Sequence, residues 1–272
     1  MTAGAGSASV SSSRAHALKG RIARGEGVHG IMAGDLAAAP LVHLAAVHGL
    51  DFIVFDAEHS AFSEERLAQL AELCVLRGIT PIVRVPPAVA SVQKVIHLGA
   101  AGVMLPGVLE VAEARALVAA AYLPPRGVRG FSTHSMPVRL SEGGRWRQAD
   151  FSRSRAVAEQ NSWITVILQI ETAALLASLP DAAAIPGVDV LLLGATDLSV
   201  SLGTPDTPPA DPRMLAALAF TGGPAKGAVA SASVPAAEWR RLGVTFLLLG
   251  HDTELLERGL RTAVNQATQN QP

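Results

Sequence analysis

The chain is poor in several residue types, and each shortage excludes a class of protein. Its single cysteine, Cys74, rules out an intrachain disulfide and favours a reducing, cytoplasmic location. No apolar run reaches the ~18 residues that a membrane-spanning helix needs. The 22 basic and 23 acidic side chains nearly cancel, so no overall field attracts nucleic acid or an anionic membrane. We therefore expect neither nucleic acid nor a membrane as a partner.

Several catalytic patterns are missing as well. The sequence contains no phosphate-binding P-loop, no dinucleotide fingerprint and no Cys-x-x-Cys pair. A Schiff-base lysine is not expected either, because none of Lys19, Lys94 and Lys226 closes a predicted strand. The chemistry should therefore depend on neither a bound nucleotide, a redox thiol nor a covalent imine.

What the sequence does contain is a regular alternation of short apolar runs and stretches of helical periodicity. The runs are residues 28–33, 51–56, 80–85, 102–107, 164–171, 188–194, 226–231 and 245–250. Such runs, flanked by turn formers, are typical of strands buried on both faces of a parallel sheet. Eight repeats in 272 residues predict one (β/α)8 TIM barrel, a fold that needs ~250 residues. The alternative, a doubly wound open sheet, would need a crossover and a phosphate loop that we do not find.

Three segments depart from this alternation. Residues 1–20, rich in Ser, Ala and Gly at their start, are predicted to be a disordered lead-in, with a cleaved targeting peptide as the alternative. Residues 21–268 then form a single barrel domain. Residues 122–161 predict a long functional loop or a lid. The last helix carries an apolar stripe that suits packing on its own barrel and on a neighbouring subunit equally: Leu255, Leu256, Leu260 and Val264.

Four polar side chains close or follow predicted strands: His59, Arg84, Glu171 and Asp197. In an α/β barrel the C-terminal strand ends surround one mouth, where active sites lie. Two carboxylates from adjacent strands suit a hard divalent cation such as magnesium or manganese, although either acid alone could be unrelated to a site. Together the four predict a metal site for an anionic substrate.

Three further features of this mouth fit a small carboxylic acid. Arg84 predicts either a structural ion pair or a fork for a substrate carboxylate. His59 follows Asp56 and Glu58 and is a candidate proton shuttle, although a single histidine is more often structural. The turn at residues 194–197 leads into a helix, so its backbone N–H groups can receive a carboxylate oxygen.

Seven segments, in order and spacing, resemble the HpcH/HpaI aldolase family: DFIVFDAEHS, PIVRVPP, GAAGVMLPGVLEVAEARALV, LPPRGVRG, ILQIET, GVDVLLLGATDLSVSLG and LLLGHDTELLERG. The resemblance runs from about Gly27 to Ala267. It implies a class II aldolase or lyase, dependent on magnesium, manganese or cobalt. Such an enzyme cleaves or forms a C–C bond of a 4-hydroxy-2-oxo acid through a metal-bound pyruvate enolate, with an aldehyde as the second substrate.

The resemblance also implies roles for individual residues. Glu171 and Asp197 would be the metal ligands. Arg84 would bind the oxo-acid carboxylate and steady the enolate oxygen, with Gln169 beside it. The amides of Gly194, Ala195 and Thr196 would hold the other carboxylate oxygen.

Proton transfer and assembly follow from the same resemblance. His59 would transfer the proton, and Asp56 would support it as a further catalytic residue or complete the water shell of the metal. Family barrels often exchange their eighth helix between subunits and assemble as hexamers, or trimers of dimers. A homo-oligomer with an exchanged last helix is therefore expected.

Departures from the family pattern leave alternatives open. Many relatives carry an aspartate near the position of His97, the usual GPxDL is GATDL here, and residues 122–161 are longer than usual. These changes concern the proton relay and the second-substrate pocket. One alternative function is the condensation of oxaloacetate with acetyl-CoA to citrate, as in siderophore pathways. Another is a barrel that binds an oxo acid without turnover.

Overall fold

Eight parallel strands close into a barrel in the computed structural model, which describes residues 14–140 and 146–269. The strands are β1 (Val28–Ala33), β2 (Phe52–Asp56), β3 (Thr80–Arg84), β4 (Gly102–Leu105), β5 (Thr165–Ile170), β6 (Val190–Leu193), β7 (Ala225–Val229) and β8 (Phe246–His251). Each strand pairs with its neighbours in chain order, and β8 pairs with β1. The predicted (β/α)8 TIM barrel is confirmed.

Helices surround this barrel and connect its strands. They are α1 (Leu18–Ala23), α2 (Ala39–Val47), α3 (Glu64–Leu76), α4 (Val89–His97), α5 (Val111–Ala121), α6 (Met136–Leu140), α7 (Arg153–Trp163), α8 (Ala173–Ala177), α9 (Leu179–Ala183), α10 (Ala195–Ser201), α11 (Pro212–Leu215), α12 (Ala236–Arg241) and α13 (Asp252–Gln269). A 3₁₀ turn, Ala216–Leu218, follows α11. Within the described ranges, no helix has both the length and the apolar character to cross a membrane.

Large apolar side chains fill the interior of the barrel. The rings of Phe52 and Phe246 stack there with their centroids 4.3 Å apart. Gly30, on the strand between them, makes this packing possible, because a Cβ at that position would lie 2.5 Å from the Phe52 ring. The barrel is therefore a packed core and not a channel, as expected for this fold.

Helix α1 closes the N-terminal end of the barrel. Its Leu18 and Ile22 pack into the interior cluster. Lys19 Nζ lies 2.6 Å from the Asp189 carboxylate and donates to Tyr122 Oη at 2.8 Å. Residues 14–20 therefore belong to the folded barrel, unlike the disordered lead-in predicted over 1–20. The helix was missed in the sequence because six residues are too few to show a helical period. Residues 1–13, the rest of the predicted lead-in, lie outside the described part of the chain.

The segment predicted as a long loop over residues 122–161 instead contains α6 and most of α7. It runs from the end of α5 to the start of β5, so it lies at the N-terminal end of the strands. Asn161 fixes it by exchanging two hydrogen bonds with the Leu123 backbone, at 2.9 and 3.0 Å. A lid over the opposite end of its own barrel is therefore wrong for the described residues; 141–145 lie outside them. Helix α7 was not predicted because it has too few apolar residues to show a helical periodicity.

The last helix, α13, departs from the barrel wall. It contacts β8 and β1 near its start, and its side chains from Glu254 onward are largely exposed. Leu256, Leu260 and Val264 are 50, 58 and 59% exposed. A row of exposed apolar side chains of this kind is typical of an interaction surface.

Candidate active site

A cavity of about 340 Å³ opens at the C-terminal ends of the strands. Its lining includes Met32, His59, Arg84, Gln169, Gly194, Ala195, Thr196, Asp197, Ser231, Trp239, His251 and Glu254. A more open cavity of about 480 Å³ lies at the other end, beside α1 and β7, and contains none of the predicted site residues. Because barrels carry their chemistry at the C-terminal end, the smaller cavity is the candidate site.

Arg84 and Asp56 form a buried ion pair at the edge of this cavity. The two residues are direct partners in the register of β2 and β3. Arg84 Nε and Nη2 donate to the two Asp56 carboxylate oxygens at 2.9 and 2.7 Å. Burial lowers the pKa of Arg84, but the Asp56 hydrogen bonds and charge outweigh it and raise the pKa. Arg84 therefore stays charged, with Nη1 free of hydrogen bonds to any described residue.

Glu171 follows β5 directly and is buried behind the cavity wall. Its Oε1 accepts the Gly107 backbone N–H at 2.5 Å, and its Oε2 accepts Gln169 Nε2 at 2.9 Å. Burial raises the pKa of Glu171 to about 7, and the charges of Asp197 and Glu58 add to the rise. The carboxylate is thus held in one orientation, and its environment disfavours the ionised form.

Asp197 lies in the first turn of α10, not at the end of a strand as predicted. Strand β6 ends at Leu193, and Gly194 precedes the helix. Gly194 packs closely against Glu171 at this turn: a Cβ on Gly194 would lie 2.7 Å from both Cβ and Oε2 of Glu171. Asp197 is exposed at the cavity, and its charge acts on Glu171. The two predicted metal ligands are therefore brought to the same side of the barrel mouth.

His59 lies in the turn after β2, three residues beyond the strand end. Asp56 Oδ1 accepts the backbone N–H groups of Glu58 and His59 at 3.2 and 3.3 Å and so fixes the turn. The His59 side chain is 63% exposed, and its Nε2 lies 3.5 Å from Glu58 Oε2. The ring partner of His59 is therefore Glu58, whereas Asp56 supports His59 only through the backbone and is otherwise committed to Arg84.

Glu58 is a site residue that the sequence placed only in a supporting role. Its Oε2 also lies 3.4 Å from Arg84 Nε, so it touches both the guanidinium and the imidazole. Burial raises its pKa against the opposing effects of Arg84 and His59. The carboxylate is therefore placed to stabilise a protonated His59 ring.

His97 lies away from this cluster. It ends α4, at the N-terminal end of the barrel, and its Nε2 lies 3.0 Å from the Gly130 carbonyl oxygen. Burial lowers its pKa. Within one chain, His97 therefore takes no part in the proton relay of His59.

Sequence reasoning missed the wall formed by β7, β8 and the two helices that follow them. Ser231, Trp239, His251 and Glu254 line the cavity from this side. Trp239 is 1% exposed, and its Nε1 donates to the Val229 carbonyl at 2.9 Å. Ser231 closes the predicted strand 226–231, and His251 follows the predicted strand 245–250. The same criterion that selected Arg84, a polar side chain at the end of a predicted strand, could therefore have found both.

Two acids of this mouth are candidate ligands for a cation. No group of three or more His, Cys, Asp and Glu side chains suited to a metal occurs in residues 14–140 and 146–269. A site would therefore rest on Glu171 and Asp197, with water completing the shell. A divalent cation would restore the ionised form of Glu171, which its neighbours disfavour. The buried Gln169 Oε1, without a hydrogen bond to any described residue, also marks this place as suited to a polar ligand.

Comparison with known proteins agrees with the geometry. Residues 34–258 match the model of the HpcH/HpaI aldolase/citrate lyase family. A hydroxypyruvate/pyruvate aldolase of Pseudomonas aeruginosa is 32% identical over 252 residues, 90% of each chain. An HpcH/HpaI aldolase from Desulfitobacterium hafniense superposes with a TM-score of 0.79 at 27% identity, covering 94% of this chain and 97% of that one.

A solved citrate synthase is similar to this chain to nearly the same degree. It superposes with a TM-score of 0.77 at 27% identity, covering 93% of this chain and 97% of its own. The family match spans most of the chain, and the closed barrel agrees with it. The chain therefore belongs to the HpcH/HpaI aldolase/citrate lyase family and is a carbon–carbon lyase, as its motifs predict.

Proposed function

We propose that this enzyme cleaves or forms the C3–C4 bond of a 4-hydroxy-2-oxo acid and depends on a divalent metal. The observation that carries the proposal is the convergence of Arg84, Gln169 and the turn at residues 194–197 on one cavity, with Glu171 packed against Gln169 and Gly194 behind its wall. A guanidinium, an amide, an oriented carboxylate and free backbone N–H groups are the groups that a small oxo acid needs.

The metal is held by Glu171 and Asp197 in this proposal. Magnesium, manganese and cobalt all accept such carboxylate oxygens together with water. When bound, the cation supplies Lewis-acid polarisation of the substrate ketone. The fit depends on the pKa of Glu171, about 7, and on the unpaired Gln169 Oε1 beside it.

The chain itself binds and orients the oxo acid. The N–H groups of Ala195 and Thr196, at the start of α10, donate to one oxygen of the substrate carboxylate. The Gly194 N–H, which was predicted to share this role, instead donates to the Ile170 carbonyl oxygen at 3.2 Å. Arg84, held by Asp56, directs Nη1 towards the C2 oxygen, where negative charge develops as the bond breaks. Because the guanidinium is already fixed, little reorganisation is needed at the moment of reaction.

His59 and Glu58 carry the proton. In cleavage, His59 Nε2 removes the proton of the C4 hydroxyl, C4 becomes the aldehyde carbonyl, and the C3–C4 electron pair passes to the enolate of pyruvate. Glu58, 3.5 Å from the ring, stabilises the imidazolium formed. Protonation at C3 then yields pyruvate, and the reverse sequence forms the bond.

Methyl-proton exchange of pyruvate in D2O, followed by NMR with metal-loaded protein, tests this proposal. We expect exchange in the wild type and its loss in Glu171→Ala and in Asp197→Ala. Asp181→Ala, an exposed acid on α9, is the matched control and should exchange normally. Exchange in both site variants would remove the metal assignment.

Citrate formation is the second candidate, supported by the similarity to a citrate synthase structure. Its substrate oxaloacetate would use the same oxo-acid groups, but acetyl-CoA also brings phosphates. Consumption of the acetyl-CoA thioester in the presence of oxaloacetate, but not in the presence of aldehydes, would identify citrate formation. The alternative of a barrel that binds without turnover is not supported, because the chain belongs to a family of aldolases and lyases.

We also propose that the enzyme is a homo-oligomer, a hexamer or a trimer of dimers, in which α13 packs on a second copy. The exposed stripe of Leu256, Leu260 and Val264 supports this, because water contact with three aligned apolar side chains is unfavourable. A second exposed apolar surface lies on α2, where Leu44 and Val47 are 56 and 79% exposed.

A further inference from the structure

One permanently charged cation, Arg84, is present among the described residues that line the active-site cavity. Its Nε and Nη2 are engaged by Asp56, so what remains serves the oxo acid. Arg258 is close by on α13, but its guanidinium donates to the Leu249 carbonyl at 3.2 Å and does not line the cavity. Among the described residues, the cavity walls therefore provide one cationic binding group, and the carboxylate of the oxo acid is the group expected to use it.

The side of the cavity formed by β8 and α13 carries the carboxylate of Glu254. Asp197 also lines the cavity, but it is one of the two proposed metal ligands, so its charge is assigned to the metal. A second substrate with its own carboxylate would meet the charge of Glu254, and no second cationic side chain among the described lining residues would pair with that carboxylate. Such a like-charge contact disfavours the wrong partner at a binding surface.

The wall of β7 and β8 is instead suited to hydroxyl groups. The His251 ring makes no hydrogen bond to a described residue, and both ring nitrogens can therefore serve a ligand. Glu254 Oε2 accepts the His251 backbone N–H at 3.2 Å and keeps acceptor capacity. Ser231 Oγ lies 2.9 Å from Ser233 Oγ and accepts the Val234 N–H at 3.1 Å. Between these polar groups, the buried Trp239 provides an apolar floor for a short carbon chain.

We propose that the second substrate of this enzyme is a short, neutral, hydroxylated aldehyde, and that aldehydes bearing a carboxylate are rejected. The inference rests on the proposed aldolase function and assigns His251 and Glu254 to acceptor selection. A site built to hydrogen-bond hydroxyls discriminates against acceptors that lack them, because its polar groups are then left unpaired. The cavity volume, about 340 Å³, is at the small end for ligand sites and fits such an acceptor beside pyruvate.

The test compares kcat/KM for bond formation between pyruvate and four aldehydes. Glycolaldehyde and glyceraldehyde represent the neutral hydroxylated class; glyoxylate and succinic semialdehyde represent the carboxylated class. We expect the neutral class to be preferred at least about tenfold. Glu254→Gln should narrow this ratio several-fold, and His251→Ala should lower kcat/KM for glyceraldehyde more than for acetaldehyde. Glu257→Gln, on the exposed side of the same helix, is the matched control and should preserve the ratio.

Pyruvate methyl-proton exchange without an aldehyde separates the two proposals. Absence of exchange in the metal-loaded wild type would refute the aldolase function itself. Exchange together with equal or better use of carboxylated aldehydes would overturn acceptor selection alone, including the case in which another copy supplies a cation. An unchanged ratio in Glu254→Gln would likewise contradict the role of that carboxylate.

Discussion

Replacing Gly194 by alanine should move Glu171 out of the position in which we propose that it binds the metal. The added Cβ would lie 2.7 Å from both Cβ and Oε2 of Glu171, whereas ordinary contact begins at 3.4 Å. Gly194 has a φ of −93°, which alanine adopts without strain, so the effect is steric and directed at one side chain. Glu171 is additionally held by Gly107 and Gln169, and the collision must break or stretch at least one of these hydrogen bonds.

The expected size of this effect follows from the displacement. A misplacement approaching 1 Å costs about 10²-fold in rate. Overpacking a buried site destabilises by about 1–3 kcal/mol, which lowers the melting temperature by several degrees. Pyruvate exchange, aldol cleavage and calorimetric Mn²⁺ titration of Gly194→Ala should therefore show loss of rate and weaker metal binding together.

Gly130→Ala is the matched control for this experiment. A Cβ on Gly130 meets no atom within 4 Å, so rate, metal binding and melting temperature should stay close to the wild type. Wild-type exchange in Gly194→Ala would refute the reasoning, because it would mean that the position of Glu171 does not matter. Equal losses of rate and metal binding in Gly194→Ala and Gly130→Ala would show that the effect comes from damage to the fold as a whole and not from the displacement of Glu171.

Three other changes test separate parts of the molecule. Asp56→Asn removes the bidentate partner of the buried Arg84 and leaves it the longer, 3.4 Å contact with Glu58. It should lower kcat/KM about 10²-fold, beyond any loss of stability, as steady-state cleavage assays will measure. Lys19→Met leaves Asp189 unpaired at the opposite end and should cost about 3–5 kcal/mol in urea unfolding with kcat unchanged; a lowered kcat at equal folded fraction would contradict the separation of the two ends. Leu260→Glu should shift sedimentation towards smaller species, whereas Thr262→Glu on the other side of α13 should not; no shift in the first variant would argue against subunit packing through this stripe.

The barrel was predictable because its signal is local. Each strand is a short apolar run, and β1 spans the predicted residues 28–33 without change. The other strands differ from their predicted bounds by a few end residues, because turn residues there continue the apolar pattern. Helices with a weak pattern were not predictable: α7 is mostly polar, and α1 has only six residues.

The site was predictable in part, because strand ends of a parallel barrel meet at one mouth. This principle predicts that Arg84 and Glu171 lie at the same mouth, and the structure places them close enough for their charges to interact. Gln169 was predicted from the family resemblance and not from this principle. The ion pair between Arg84 and Asp56 could not be predicted from the sequence, because it depends on the register of β2 and β3. The sequence also could not reveal that His59 turns towards Glu58, nor that the side chains after β7 and β8 complete the cavity. These contacts depend on tertiary geometry, which spacing along the chain does not encode.

The filled axis of the barrel imposes an order on the reaction. Phe52 and Phe246 occlude the centre, and α1 covers the far end, so ligands share a single entrance. Arg84 and Gln169 are buried at the base of that entrance, whereas Glu254 is exposed at its rim. In the proposed reaction the oxo acid would therefore enter before the aldehyde in synthesis, and in cleavage the aldehyde would depart before pyruvate. Product inhibition should follow this sequence, with pyruvate competing directly against the cleaved substrate for the free enzyme.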